Sequence, residues 1–400
     1  MCGGWAGAGR VARLLVMTTP PPPPDRPTVR LGSPPDIVRA IPSLLGFHPG
    51  SSLVALGLAG RRLRLRMTVR VDLPPPGLEA AVADQVAERL RGAKVSACVV
   101  VLFTAPADAG PGADRGGTAL PGAGMARAAA ESLRGAGLDV RELLRTESGR
   151  WWSYTCAAPC CPPEGRPVGP APTTLLDVLR VAAGRPVFAD RSALVASVGR
   201  GPGEPTGALL AAIHAREAAL AGLRPGTRAA RDLVDLHQLL IRGSAHRGAP
   251  RESAPARPAA AAFAPDDQDI AQVAVALTHP AVRDACVAWT AGPLADAAVV
   301  LWGEAVRRVP APYAAAPATL LAVSAYRRGD GALADACLRR ALDDDPDYRM
   351  AELVLTGLTN GLGPDDVEEA LGLDGAGSVG GPRWPSSGSA PNPGGGTDAR

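Results

Sequence analysis

Three groups of residues in this sequence carry side chains fit for chemistry. The densest is Trp151-Trp152-Ser153-Tyr154-Thr155-Cys156, followed by Cys160-Cys161-Pro162-Pro163-Glu164-Gly165. Three of the seven cysteines fall here. Three thiolates and one histidine would complete a tetrahedral zinc site, with Cys156, Cys160 and Cys161 as ligands. The spacing departs from the paired CxxC of a zinc knuckle, and adjacent Cys160 and Cys161 point to opposite sides of an extended chain. A Cys156–Cys160 couple that cycles between dithiol and disulfide is a second reading. The third, and favoured, reading is structural: thiols packed as small apolar groups in a proline-rich turn, with no basic residue closer than Arg150 and Arg166 to lower a thiol pKa. Trp151 and Trp152 offer flat aromatic surface to a ligand.

The second group is Gly46-Phe47-His48-Pro49. His48 is a candidate general base or metal ligand, or else a loop histidine that fixes how the chain enters the next strand. The third is an alternating segment in which Arg64, Arg66, Arg70 and Asp72 share one face. Guanidinium groups bind phosphate and carboxylate well, so this face could hold an anion. Alternatively it is the solvated side of a half-exposed sheet, with Arg70 and Asp72 paired as same-face neighbours. No P-loop, no GxGxxG between strand and helix, no HExxH and no GxSxG occurs.

The elements that must position these groups read as follows. Ser33-Pro34-Pro35-Asp36 opens a helix through Ile37, Val38 and Ile41, which Pro42 should strain or shorten. Residues 52–58 and 63–73 form an antiparallel hairpin. In its second strand Leu63, Leu65, Met67, Val69, Val71 and Leu73 alternate with the charged set. Residues 78–90 switch to helical spacing, 95–103 are a nearly continuous apolar strand, and 124–135 are a second helix. A further strand, a turn at Ser148-Gly149 and a strand through Trp151 complete a ββαβαββ order. The fold class is therefore α/β, with an α+β-like mixed sheet, followed by an all-α domain. Thr174-x-x-Asp177 is a capping box, and helical patterns continue near 206–221 and 226–242.

The expected domain map is a disordered segment at 1–27, an α/β domain at 28–242, a disordered linker at 243–265, a helical domain at 266–362 and a mostly disordered tail at 363–400. Within the helical domain, Leu321, Ala322, Ala334, Leu338, Ala341 and Pro346 fall in the register of one tetratricopeptide-like hairpin, with Gly329 at its turn. A single repeat cannot bury its own faces, so neighbouring helices must cap it.

Composition narrows the class. The chain has 42 basic and 39 acidic residues, a net charge of +3, which argues against a nucleic-acid coat. All but one of the basic residues are arginine, Lys94 being the exception, as coding bias in a GC-rich genome would give. Seven cysteines make no disulfide framework and fit a reducing compartment. No apolar run of about 18 residues is present, so no membrane span is expected. The N-terminal stretch does not read as a signal peptide, and Met17 offers an alternative start to Met1.

At this level the chain resembles a known family. "IPSLLGFHPGSSLVALGL", "RVDLP", "RWWSYTCAAPCCPPEGRPV", "VAAGRPVFADRSALV" and "LLAVSAYRRGDGALADACLRRALDDDP" are similar, in order, to blocks of the domain-of-unknown-function 4192 family of high-GC bacteria. The likeness covers about residues 29–360. It implies a cytoplasmic bacterial protein and no particular activity.

Three functional expectations follow. The leading one is a cytoplasmic binding or adaptor protein, with a small-ligand or peptide site on the α/β domain and a protein partner docked through the helical domain. The second is an enzyme whose site gathers His48, Arg70, Asp72 and the Cys156, Cys160 and Cys161 cluster. The third is a structural zinc protein.

Overall fold

The computed structural model describes residues 14–18, 29–105, 120–156, 161–170, 174–182, 184–201, 205–245, 263–363 and 366–367. Most of the linker expected at 243–265, nearly all of the tail and Cys160 lie outside these residues.

Seven strands form one mixed sheet: β1 (Leu14–Thr18), β2 (Ser52–Ala59), β3 (Arg64–Asp72), β4 (Ala97–Phe103), β5 (Asp139–Glu147), β6 (Arg150–Ser153) and β7 (Arg166–Pro167). Their spatial order is β1-β3-β2-β4-β5-β6-β7. Among the described strands, only β4 and β5 pair in parallel. Strand β1 falls inside the segment that composition marked as disordered, yet its backbone pairs antiparallel with β3, Leu14 opposite Val71 and Thr18 opposite Met67.

Two helices, α2 (Glu79–Gly92) and α3 (Ala123–Gly135), cover one face of the sheet. Val82, Val86 and Leu90 of α2 and Met125, Ala129 and Leu133 of α3 meet Leu53, Val69, Val71, Val100 and Leu102 there. The other face is covered by α1 (Pro34–Leu45) and by the helices of the C-terminal half. With both faces buried, β4 needs apolar side chains on both, which explains its unbroken run. Pro42 does not end α1. The helix continues to Leu45 and stops at Gly46, in the left-handed conformation (φ 82°).

The hairpin departs from strict alternation. A bulge between Gly57 and Leu58 shifts the register, so that Leu58 faces Leu65 and Ala59 faces Arg64. Met67, Val69 and Val71 keep the expected face against α2 and α3. Leu65 moves to the opposite one and packs against the cluster containing α1. Gly57 has a steric reason: a Cβ there would come within 2.8 Å of the Leu90 side chain.

The remaining helices are α4 (Leu175–Ala182), α5 (Arg191–Ser197), α6 (Gly207–Leu220), α7 (Pro225–Ala245), α8 (Asp267–Ala276), α9 (Pro280–Cys286), α10 (Ala295–Arg308), α11 (Ala315–Arg327), α12 (Gly331–Asp344) and α13 (Arg349–Thr359). The capping box forms at α4: Asp177 N–H donates to the Thr174 hydroxyl, and Thr174 N–H to the Asp177 carboxylate. One apolar cluster runs from Val54, Val101 and Leu144 of the sheet through α1 to Leu236, Leu301, Leu320 and Val354. Residues on both sides of 243–265 contribute to this cluster.

Candidate functional site

The cleft at the C-terminal ends of β4 and β5 gathers several polar groups around an open space. It has a volume of about 360 Å³ and is lined by His48–Ser51, Phe103–Ala105 and Thr146–Gly149. Ligands of open α/β sheets bind outside the carboxyl ends of parallel strands, and β4 and β5 are the parallel pair here.

Each lining segment is held by local geometry. Phe47 is fully buried and bridges to Phe188: His48 N–H donates to the Phe188 carbonyl (3.0 Å), and Phe188 N–H to the Gly46 carbonyl (2.8 Å). This anchor leaves the His48 imidazole exposed at the cleft. Ser148 and Gly149 both have positive φ (49° and 74°), the backbone of a two-residue hairpin turn, and carry the chain from β5 to β6 across the mouth. The Thr146 hydroxyl donates to the Arg150 carbonyl across that turn.

Beneath the cleft lies Arg145, whose side chain is 6% exposed. Its Nε donates to the Thr104 hydroxyl (3.0 Å), and a terminal nitrogen makes a short ion pair with Glu147. Its guanidinium lies 4.3 Å from the centroid of a Trp152 ring. Burial pulls the Arg145 pKa down, with the Tyr154 hydroxyl acting against it. The tryptophan is fixed in turn: Trp152 Nε1 donates to the Pro163 carbonyl (2.9 Å). Arg150 bonds the carbonyls of Glu164 and Gly165. A Cβ on Gly165 would sit 2.3 Å from the Trp152 indole, so only glycine fits. Tyr154 donates to the Pro121 carbonyl, and burial raises its pKa.

The family profile matches residues 34–365. The chain belongs to the DUF4192 family, a domain of unknown function. No curated protein and no solved structure matches it. In this DUF4192 chain, "LLGFHP" builds one wall of the cleft, and the "WWSY" and "PPEG" segments build the support of Arg145.

The other sequence candidates are distributed differently. Arg64 and Arg66 are exposed at the hairpin end of β3. Arg70 lies six residues from Arg64, roughly 20 Å along the strand. The bulge further turns Arg64 from the face that Arg70 shares with Thr68, so the expected four-residue charged face does not form. Arg70 is buried, 5% exposed, paired with Asp72 at 2.5 Å and 6.0 Å from the Phe47 ring centroid. Burial holds its pKa below the ordinary value, with the Asp72 charge opposing and Arg191 reinforcing the shift. Neither Arg70 nor Asp72 lines the cleft, and neither do Cys156 and Cys161. Trp151 is buried in the core between sheet and helices. Among the described residues no three His, Cys, Asp or Glu side chains group to hold a metal. The residues that sequence reasoning missed are Thr104, Arg145, Thr146 and Glu147. The available signal was Arg145-x-Glu147, the same one-face spacing that marked Arg70-x-Asp72.

Proposed function

We propose that this chain is a binding protein, and that the cleft between His48 and Glu147 takes a small polar ligand rich in hydroxyl or ammonium donors. The carrying observation is Glu147: its carboxylate lines an open cleft yet is held in place by the buried Arg145. Hydroxyls of Ser51, Thr104, Thr146 and Ser148, with the His48 imidazole, surround the same space. A carboxylate already paired with a guanidinium is a poor general base, and the cleft offers a better set of hydrogen-bond acceptors than a catalytic constellation. An enzymatic role for His48 with Arg70, Asp72 and the cysteines draws no comparable support from this geometry.

The finer parts of the reading rest on narrower support. A tetratricopeptide-like hairpin at α11 and α12 is supported by Ala322, Ala334, Leu338 and Ala341, all fully buried, and by Gly329 at φ 74°. Docking of a protein partner through residues 266–362 draws on that hairpin, and the cytoplasmic bacterial setting on the cysteine usage and the arginine bias. No helix among the described residues is long and apolar enough to cross a membrane. Zinc is not part of the reading.

The test is saturation-transfer NMR on the full chain with sugars, nucleosides and amino acids as probes. At least one class should bind, and Glu147→Gln should weaken it about tenfold or more, the loss of one charge-assisted contact. Binding by none of the classes, or binding indifferent to both Glu147→Gln and His48→Ala, overturns the assignment. Chemical conversion of a bound probe replaces it with the enzyme reading.

A further inference from the structure

The hairpin that joins β2 to β3 ends in Gly60-Arg61-Arg62-Leu63-Arg64-Leu65-Arg66. We propose that this tip is a docking surface for a membrane leaflet rich in anionic phospholipid. Leu63 enters the lipid interface, and the arginines engage the headgroup phosphates.

The arginines carry unspent charge. Arg61, Arg62, Arg64 and Arg66 are all exposed, and none of these guanidinium groups has a hydrogen bond or an ion pair among the described residues. Further along the same strand, Arg70 is paired with Asp72. Four like charges within six residues repel one another, and an anionic surface relieves that repulsion. Two more cations stand at this end of the sheet. Arg91 and Lys94 are exposed, and Ser96 N–H donates to the Leu58 carbonyl at the hairpin base (2.9 Å). Strand β5 brings Asp139 here, opposite Ala97, but Arg141 pairs with it at 2.9 Å. Glu88, one helical turn before Arg91, leaves the balance positive.

Leu63 decides what kind of anionic surface fits. Its N–H donates to the Gly60 carbonyl (3.0 Å) to close the turn, and its φ is 48°. Left-handed backbone suits glycine or asparagine and is strained for leucine. The core gains nothing from that strain. Leu63 is 38% exposed and packs on neither apolar cluster, whereas Leu65 packs on one. A strained apolar side chain at an exposed apex, flanked by guanidinium groups, matches a surface that is anionic outside and apolar within. The negative potential of an anionic leaflet attracts clusters of about four to eight basic residues. A nucleic-acid backbone would meet the arginines but give Leu63 no apolar contact.

The tip is remote from the cleft. Strand β2 runs from Ser52, opposite Phe103 at the cleft, to the hairpin about 25 Å away. The two sites therefore stand or fall separately.

The experiment is vesicle sedimentation with the full chain. One set of vesicles is phosphatidylcholine alone, and the other is equal parts phosphatidylcholine and phosphatidylglycerol. The chain should sediment with the second set only, and less of it as salt rises. Arg62→Glu combined with Arg66→Glu should weaken that binding about tenfold or more. Leu63→Asn should weaken it about threefold or more at an unchanged or raised melting temperature, since asparagine tolerates the left-handed backbone. All three substitutions change exposed side chains, so wild-type melting temperatures should confirm an intact fold. No sedimentation with phosphatidylglycerol, equal sedimentation with phosphatidylcholine alone, or full binding in either variant overturns the proposal. Capture of duplex DNA in place of vesicles, indifferent to Leu63→Asn, assigns the tip to nucleic acid instead.

Discussion

Arg145 is a charged side chain in the middle of a buried sheet, and its environment explains why it survives there. Three kinds of partner neutralise it: the Glu147 carboxylate, the Thr104 hydroxyl and the face of Trp152. Removing one member of a buried pair leaves the other charge uncompensated. Glu147 is 17% exposed and can recover some hydration through the cleft, so the effect falls at the low end of that class. Arg145→Met should cost about 3 kcal/mol in denaturant unfolding. Arg145→Met combined with Glu147→Leu should recover more than half of that loss. Additive costs in the double-mutant cycle would show that the pair is not coupled. The residue was hard to see in the sequence for a definite reason. Arg70-x-Asp72 stood out because the whole of β3 alternates, whereas in β5 Arg145-x-Glu147 follows an apolar pair, Leu143-Leu144, that blurs the period. Only the contact with Trp152, seven positions on, marks it as a site.

At the scale of elements, β3 shows how far alternation can be trusted. The strand's periodicity correctly separates Met67, Val69 and Val71 from Thr68 and Arg70, since one side faces α2 and α3. It fails at Leu65 and Arg64, because a bulge depends on the partner strand: Gly57 pairs with Met67 and Leu58 with Leu65, which leaves Arg66 without a partner residue on β2. Val71→Asp puts a carboxylate with no partner into a fully buried position and should abolish folding or cost about 4 kcal/mol or more. Arg66→Glu changes an exposed side chain at the bulge and should stay within about 0.5 kcal/mol. Equal melting temperatures for the two variants would refute the face assignment. Helix α4 inverts the usual logic. Its polar residues face inward, Asp177 accepting from the Ser43 hydroxyl and Arg180 reaching Asp330, while Leu175, Val178 and Val181 are exposed. A capping box announced where α4 begins, but nothing local says which side it buries. That choice belongs to Ser43 and Asp330, more than one hundred positions away in each direction.

Among the described residues, one of the two apolar clusters joins the two halves of the chain. Composition divides the chain at 243–265, yet the helices beyond that point cover the sheet face that α1 begins to cover, and a single apolar cluster joins them. Polar contacts stitch the same seam. Arg180 and Asp330 pair at 3.3 Å with side chains 6% and 4% exposed, Arg191 donates to Asp335 at 2.9 Å, and Arg185 to the Arg328 carbonyl. A chain built this way should unfold in one cooperative step, where two separate cores would give two. Asp330 offers the sharpest test, because it is remote in sequence from the strands of the sheet. Asp330→Ala removes the α12 cap to Leu333 N–H and leaves Arg180 buried without its carboxylate, a loss of about 3–5 kcal/mol. Hydrogen exchange then distinguishes the two architectures. If the core is continuous, amides of β4 and amides of α11 lose protection together and by the same free energy, since both exchange through the same global opening. If α10 to α13 form an independent unit, only their amides lose protection and β4 keeps its wild-type rates. The second pattern would overturn the single-core description.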